Sequence, residues 1–84
     1  MKKIVFTQHT KDAIRERGIE PDWVILAVVD PEWTQRDSYR HDIERRFRSV
    51  PEFGNRVLRV ACFETVEEVR IITAFFDRHA RKQR

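Results

Sequence analysis

The residues of this chain that could carry out chemistry are histidines and arginines. His9 lies just inside the start of a predicted helix, where the partial positive charge of the helix end favours neutral imidazole, the form that acts as a general base. His79 follows the last predicted strand among basic residues and could act there as an acid or a base. For His9 there is an alternative: a half-buried histidine that hydrogen-bonds to a sheet and positions its helix.

These residue types suit the cleavage of a phosphodiester without a metal. The reaction needs a base for the 2′-hydroxyl, an acid for the leaving oxygen and a cation for the charge of the transition state. His9, His79 and the arginines of the chain contain that set. In helix one, Arg15 and Arg17 have an alternative reading as surface ion pairs with Asp12 and Glu16.

Arginines also follow the predicted strands. Arg46 and Arg48 share one face of their strand, and Arg59 alternates with apolar residues in the next strand. Cross-strand pairing is therefore expected to bring Arg46, Arg48 and Arg59 together on one sheet face, where they could bind phosphates. In the alternative, carboxylates of the protein itself neutralise them, among them Asp42, Glu44 and Glu64.

Composition excludes several classes of protein. Lys and Arg number 17 against 14 Asp and Glu, a net charge of +3 that indicates a polyanionic partner only weakly. No apolar stretch approaches the length of a membrane span, and the first residues do not form a signal peptide, so we expect a cytoplasmic protein without membrane contact. Cys62 lies between apolar neighbours and is expected in the core. His9, His41, His79 and Cys62 lack metal-ligand spacing, so neither a metal nor a cofactor is expected.

Two helices are predicted in the first half of the chain. A short strand over Lys3–Phe6 ends at Thr7, the N-cap of a helix over Gln8–Arg17, and Gly18 ends that helix. Pro21 opens a second helix, whose body runs from Trp23 to Val29 and ends at Asp30-Pro31. Because this body is apolar nearly all round, a continuous strand is the competing reading.

Beyond Pro31 the apolar pattern changes to a period of two. It predicts strands over 33–36, 43–50, 56–64 and 69–76, with the last three joined as an antiparallel meander. The fold class is therefore α+β, with two N-terminal helices packed on a curved, mainly antiparallel sheet of four to five strands. Residues 1–84 are expected to form a single domain, with a basic tail over 77–84 that is helical or frayed.

Four segments carry a resemblance to a known family. They are Phe6-Thr7-Gln8-His9-Thr10, Arg15-Glu16-Arg17-Gly18-Ile19, Asp30-Pro31, and Arg70-Ile71-Ile72-Thr73-Ala74-Phe75-Phe76-Asp77-Arg78. In this order they resemble the bacterial domain of unknown function family numbered 4258, in which alanine is usual at the position of Thr10. The resemblance covers almost the whole chain.

That family in turn resembles the BrnT toxins and, more distantly, the RelE and ParE toxins, which share an α+β fold. The resemblance implies a toxin-like ribonuclease with an antitoxin partner and no metal. Carried over by position, it points to a set of residues in helix one and in the last strand with its exit: His9, Arg15, Arg17, Arg70, Thr73 and Arg78. Together with His79, which is singled out by its own place in the sequence, the expected catalytic residues are His9, Arg17, Arg78 and His79. Nucleic-acid binding is expected from Arg15, Arg46, Arg48, Arg59, Arg70 and Thr73.

Alternatives to a ribonuclease stay open from the sequence. ParE-like relatives act on a protein target, so a non-catalytic module that binds nucleic acid or protein is the second hypothesis. The expected partners are RNA and an antitoxin. Trp33, Phe53 and the apolar residues of the last strand could form the self-complementary patch of a homodimer, or a groove for the antitoxin, if they are exposed.

Overall fold

The computed structural model describes residues 2–81 and contains five strands and two α-helices in these residues. The second helix confirms the helical reading of its apolar segment, so the competing strand assignment is wrong. In chain order the elements are β1 (Lys3–Phe6), α1 (Gln8–Arg17), α2 (Pro21–Val29), β2 (Trp33–Arg36), β3 (Ile43–Val50), a single 3₁₀ turn (Pro51–Phe53), β4 (Arg56–Glu64) and β5 (Glu68–Phe76).

Capping residues set the limits of α1. The side-chain oxygen of Thr7 accepts a hydrogen bond from the backbone N–H of Thr10 at 3.2 Å, which satisfies one of the free donors of the first turn. At the other end Gly18 adopts a left-handed conformation with φ of 67°, and its N–H bonds to the carbonyl of Arg15 at 3.3 Å. Both caps agree with the predicted limits.

Proline sets both limits of α2. Pro21 occupies its first turn, where the missing N–H costs nothing. The N–H of Asp30 still bonds to the carbonyl of Leu26 at 2.8 Å, and Pro31 prevents a further turn.

The sheet is mixed, with strand order β1-β5-β4-β3-β2. Neighbouring strands from β2 to β5 are antiparallel, whereas β1 pairs in parallel with residues 68–71 of β5. The predicted strand before the helices is present, and it lies at the sheet edge beside the last strand, so the sheet is mixed.

Both helices pack on one side of the sheet, which we call the inner face. Ile14 of α1 and Val24, Ala27 and Val28 of α2 join one buried apolar cluster with the strand residues below them. This cluster is the main source of stability, since it removes most of the large apolar side chains of the chain from water. Its strand residues are Val50, Leu58, Val60, Cys62, Val69, Ile71 and Ala74, with Ile4, Phe6 and Phe76 packed against them.

One extra residue interrupts the pairing of β4 with β5. Ala61 lies opposite Thr73 and Cys62 opposite Ile71, so Ile72 has no partner and forms a β-bulge. The bulge changes the alternation of β5. As a result Val69 and Ile71 before it, and Ala74 after it, all face the helices.

The chain leaves β5 as turns rather than as a helix. The N–H of Asp77 bonds to the carbonyl of Val57 at 2.9 Å, and that of Ala80 bonds to the carbonyl of Asp77 at 3.2 Å. The rest of the predicted tail, residues 82–84, lies outside the described residues. Within 2–81 no helix is long and apolar enough to cross a membrane.

Candidate nucleic-acid interface

The side of the sheet turned away from α1 and α2 carries the candidate site, and we call it the open face. Strand register assigns its residues, because side chains that lie opposite each other in paired strands point to the same side. Among residues 2–81 no helix packs on this side. Its central members are Trp33, Gln35, Arg45, Phe47, Val57, Arg59, Ala61, Thr73 and Phe75.

A row of planar side chains crosses four strands of the open face. Trp33 lies opposite Phe47, Phe47 opposite Arg59, and Arg59 opposite Phe75. The Trp33 and Phe47 rings stack at 4.8 Å with an interplanar angle of 5°, and the guanidinium carbon of Arg59 lies 5.1 Å above the Phe75 ring. We call these four residues the aromatic–arginine row. Such a surface suits unstacked bases, which stack on aromatic rings and on guanidinium planes.

Two donors of the aromatic–arginine row lack an acceptor in the described part of the chain. These buried atoms are the indole Nε1 of Trp33 and the Nε of Arg59. Buried donors are nearly always paired in folded proteins, so two exceptions in one row distinguish it from ordinary sheet surface.

Asp77 joins one end of the row to the chain beyond β5. Its carboxylate accepts a hydrogen bond from Nη1 of Arg59 at 3.2 Å and one from the backbone N–H of His79 at 3.0 Å. The Arg59–Asp77 pair is mostly shielded, with side-chain exposures of 25% and 16%. His79 itself is exposed. Through Asp77, Arg59 of the row is therefore joined to the backbone of the segment that carries His79.

Three further arginines surround a polar cavity of about 510 Å³ next to this point, which we call the arginine cavity. It lies between the β3–β4 turn and the exit of β5, and Arg56, Arg78 and Arg81 contribute to its lining. Arg56 rests on the Phe53 ring at 5.0 Å. Within residues 2–81 none of the three forms an ion pair with a carboxylate.

Arg46 and Arg48 are not on the open face, which corrects the predicted convergence with Arg59. Arg46 lies opposite Val60 and Arg48 opposite Leu58, and both partners are buried against the helices. The cause is the small width of α2, which leaves the far part of the inner face uncovered. The long arginine side chains fill that space and reach the C-terminal end of α2.

Arg46 is the centre of a structural ion-pair network. Its Nη1 donates to the carbonyl of Val28 at 2.9 Å, its Nε to Glu44 at 2.7 Å, and its Nη2 to Glu64. Burial opposes the charged form, but the bonds to the two glutamates outweigh it and raise the pKa of Arg46. The bonds from Lys2 and Arg46 lower the pKa of Glu64. The alternative in which internal carboxylates neutralise these arginines is therefore confirmed for Arg46.

Arg48 has a similar structural position at the end of α2. Its Nη1 donates to the backbone carbonyl of Asp30 and also lies 3.3 Å from the carboxylate of that residue. A cation at the C-terminus of a helix interacts favourably with the helix dipole.

Arg70 and Thr73 lie on the open face together, although strict alternation would place them on opposite sides. Arg70 lies opposite Phe63, and Thr73 lies opposite Ala61 beyond the bulge at Ile72. Arg70 is ion-paired with Glu68 at 3.1 Å. Of the six predicted nucleic-acid-binding residues, the open face thus carries Arg59, Arg70 and Thr73.

The residues predicted on α1 lie elsewhere. His9 is exposed, so it does not have the half-buried position of the structural alternative; its neighbour Thr10 does. Thr10 is fully buried and donates from its hydroxyl to the carbonyls of Ile71 and Ile72, at 2.9 and 3.0 Å. Arg17 donates to the carbonyl of Ala74 at 3.0 Å. Together these bonds fasten α1 to β5.

Arg15 has the predicted surface ion pair. Its Nη2 lies 3.2 Å from the carboxylate of Asp12, and both side chains are more than half exposed, at 76% and 54%. A pair this exposed contributes little to stability.

His9 and His79 are held at different points along β5 and its exit. Thr10, the neighbour of His9, bonds to the carbonyl of Ile72, and the backbone N–H of His79 bonds to Asp77, five residues further along the chain. Of the two predicted histidines, His79 is the one whose backbone is joined to the aromatic–arginine row through Asp77.

Cys62 and the acidic residues form no metal site. Within the described residues no group of three or more His, Cys, Asp or Glu side chains is placed to hold a metal ion. Cys62 is 1% exposed, and burial raises the pKa of its thiol to about 11, which keeps it protonated and unreactive at neutral pH.

The sequence prediction missed the aromatic–arginine row and the arginine cavity. Trp33, Phe47 and Phe75 were assigned to strands, but their common row depends on the register between strands, which the sequence did not give. For the cavity, the signal was Arg56 directly after the Gly54-Asn55 turn, at the same end of the meander as the exit of the last strand.

Comparison with known proteins gives one family. The family model DUF4258, described as a domain of unknown function, matches residues 6–76. No curated protein and no solved structure matches the chain.

Proposed function

The chain belongs to DUF4258, a family of domains of unknown function, and from its own geometry we propose that it is a small toxin-like ribonuclease holding single-stranded RNA on the open face. The observation that carries the proposal is the aromatic–arginine row, which crosses four strands and is joined through Asp77 to the backbone N–H of His79. Trp33 and Arg59 offer planar surfaces for bases, and the arginines beyond β5 offer charge for phosphates.

Cleavage is assigned to the His79 end of the row. The imidazole of His79 acts there as the base that takes the proton of the 2′-hydroxyl, solvent water protonates the leaving 5′-oxygen, and Arg78 stabilises the charge that develops on the phosphate. Attack by the 2′-hydroxyl on phosphorus breaks the bond to the 5′-oxygen and leaves a 2′,3′-cyclic phosphate and a 5′-hydroxyl, with no metal involved. The resemblance to BrnT and RelE toxins noted from the sequence is the reason for proposing RNA as the substrate.

The cleavage test compares three single-histidine variants of the purified protein. Cellular and ribosome-bound RNA is incubated in EDTA with wild type, His79→Ala, His9→Ala or His41→Ala, and fragments are read on a gel. His41 is an exposed histidine in the β2–β3 loop and serves as the matched control. We expect cleavage by wild type, His9→Ala and His41→Ala, and at least a hundredfold loss in His79→Ala, the lower range for a general acid or base.

The outcomes separate the two histidines. Loss of cleavage in His9→Ala but not in His79→Ala would move the catalytic site to α1. Intact RNA with every protein would leave the non-catalytic binding module, which the partly exposed planar groups of Trp33, Arg59 and Phe75 support independently of His79.

Binding is tested through the tryptophan of the row. Trp33→Leu removes one stacking surface and should weaken binding of single-stranded RNA roughly tenfold, since stacking contributes about 1–3 kcal/mol per base. Trp33→Phe keeps an aromatic ring on Phe47 and should retain most of the affinity. Tyr39→Leu is the control, because Tyr39 is an aromatic residue that is 92% exposed outside the row. Equal affinities of Trp33→Leu and Tyr39→Leu would exclude the row as the binding surface.

A toxin also requires an antitoxin, and we propose the outer side of α2 as its contact surface. Ile25, Leu26 and Val29 are exposed there, at 36%, 43% and 47%. An apolar patch on a surface helix is the usual mark of a protein contact. Co-purification of the protein expressed with its neighbouring gene, with wild type against Leu26→Lys, tests this contact.

A further inference from the structure

We infer that the arginine cavity binds a phosphate monoester, either the phosphorylated end of an RNA strand or a free mononucleotide. The inference rests on the proposed RNA-binding function for the first source but not for the second. It concerns a cavity that lies beside the aromatic–arginine row and shares Arg78 with the proposed cleavage site.

The first observation is that the positive charges lining the arginine cavity have no carboxylate partner among residues 2–81. Arg56, Arg78 and Arg81 line one cavity, and no carboxylate of residues 2–81 pairs with any of them. By contrast, five other strand arginines are each paired with an acidic residue: Arg45, Arg46, Arg48, Arg59 and Arg70. Three cations that line one cavity repel one another, so an anion bound among them removes an unfavourable interaction.

The acidic residue of the cavity does not compete for this role. Asp77 contributes to the lining, but its carboxylate is occupied by Arg59 at 3.2 Å and by the N–H of His79 at 3.0 Å. Its charge is therefore directed at the row, and the three arginines of the cavity keep theirs.

Shape selects a chain end over an internal phosphodiester. The arginine cavity is more enclosed than the apolar cleft beside α1. A recess of this kind holds the terminal group of a strand more readily than the middle of a continuous strand. Its volume of about 510 Å³ falls in the range of small-ligand sites, ~300–1,000 Å³.

The positive charge of the cavity favours a phosphate monoester over a diester. A phosphate monoester carries about −1.5 to −2 charges at pH 7, and a diester carries one. Guanidinium groups bind such oxygens through paired, charge-assisted hydrogen bonds. Three cations match the dianion better than they match the monoanion.

The test measures fluorescence polarisation of one labelled RNA oligonucleotide with a 5′-phosphate, a 3′-phosphate or hydroxyls at both ends. For wild type we expect one phosphorylated form to bind at least roughly tenfold more tightly than the hydroxyl form, the effect of about one charge-assisted contact. Arg56→Ala and Arg78→Ala should abolish that preference. Arg40→Ala is the charge-matched control, since Arg40 is exposed and paired with Asp42 outside the cavity.

Titration with free ligands tests whether the cavity binds a free mononucleotide rather than the phosphorylated end of an RNA strand. Adenosine monophosphate and inorganic phosphate are titrated separately while the melting temperature is recorded. A rise that saturates with the nucleotide, and is absent in Arg56→Lys and Arg78→Ala, assigns the cavity to mononucleotides. Arg56→Lys keeps the charge and the fold while removing the planar donor pair.

The results separate this inference from the proposed function. Equal affinity for phosphorylated and hydroxyl RNA, with no response to the nucleotide, overturns the phosphate cavity and leaves RNA binding intact. Absence of RNA binding together with a nucleotide response that the variants lose overturns the RNA proposal and supports the cavity.

Discussion

Thr10 shows how a short polar side chain joins a helix to a sheet. Its hydroxyl contacts the Thr7 hydroxyl at 2.8 Å and donates to the carbonyls of Ile71 and Ile72. Those carbonyls lie where β1 ends and the edge of β5 would otherwise be unpaired. The anchoring position expected for His9 is therefore taken by its neighbour, and His9 is left exposed.

Replacing Thr10 by valine keeps the shape and removes the hydroxyl. The free energy of unfolding should fall by about 1–3 kcal/mol, because buried carbonyls lose a donor. Urea denaturation measures the change. Thr10→Ser retains the hydroxyl and should lose less than the valine variant, and equal losses for the two would show that the methyl group matters more than the hydrogen bonds.

Asp37 makes stability depend on pH at the β2–β3 loop. Hydrogen bonds from the N–H groups of Arg40 and Tyr39, followed by the contact with Arg45, lower the pKa of its carboxyl from 3.8. A lowered pKa means that the stabilisation is present above pH 3.8 and is lost as the pH falls through the lower folded value.

Asp37→Asn should therefore melt below wild type at pH 7, and the difference in melting temperature should close as the pH is taken below 3.8. Circular dichroism melts from pH 7 to pH 3 check this. A difference that stays constant down to pH 3 would exclude the charge of Asp37 as its source.

At the scale of elements, Gly18 decides where α1 stops. Its φ of 67° is left-handed, and no atom lies within 4 Å of the position that a Cβ would take. Gly18→Ala should therefore cost only the backbone term, roughly 1–2 kcal/mol. Thermal or urea unfolding measures this loss. Gly18→Asn, which tolerates this conformation better, should lose less, and a larger loss in Asn than in Ala would contradict the backbone explanation.

The helices and strands could be predicted closely, because caps, prolines and apolar periods are local signals. Thr7, Gly18 and Pro31 fix their positions without reference to the rest of the fold. The placement of the site could be predicted only in part, since it depends on contacts between elements. The alternating pattern of the strand predicts that Arg46 and Arg48 share a face. It does not predict which face of the sheet the helices cover.

At the scale of the whole molecule, Arg46 connects parts that are distant in the chain. Its guanidinium contacts the end of α2, Glu44 of β3 and Glu64 of β4, and Glu64 in turn bonds to Lys2 before β1. The side chain is only 13% exposed, so water cannot replace these contacts freely.

Arg46→Ala should lower the free energy of unfolding by about 2 kcal/mol, the scale of hydrogen bonds to charged groups. RNA affinity should change by less than the change produced by Trp33→Leu. Urea denaturation and polarisation binding measure the two quantities on the same preparations. A variant with unchanged stability and lost RNA binding would restore Arg46 to the nucleic-acid interface.

The exposed apolar surface around Phe53 and Trp33 is small for a homodimer contact. Phe53 is 38% exposed, but it stacks on Phe76 at 4.8 Å and beneath Arg56, so much of its ring is already used within the chain. Trp33 is likewise stacked on Phe47. Trp33 and Phe53, the residues predicted to support a homodimer, therefore offer less free apolar surface than the outer side of α2.

The unpaired Ile72 shifts the inward–outward alternation of the side chains of β5 by one residue. Downstream of it, Ala74 faces the helices while Thr73 and Phe75 face outward; upstream, Ile71 faces the helices and Arg70 outward. If Ile72 paired with Ala61 in place of Thr73, the side chains of β5 would alternate strictly, and the second half of the strand would be turned over, with Thr73 and Phe75 towards the helices and Ala74 outward. The single extra residue Ile72 therefore determines which side chains of β5 lie on the open face.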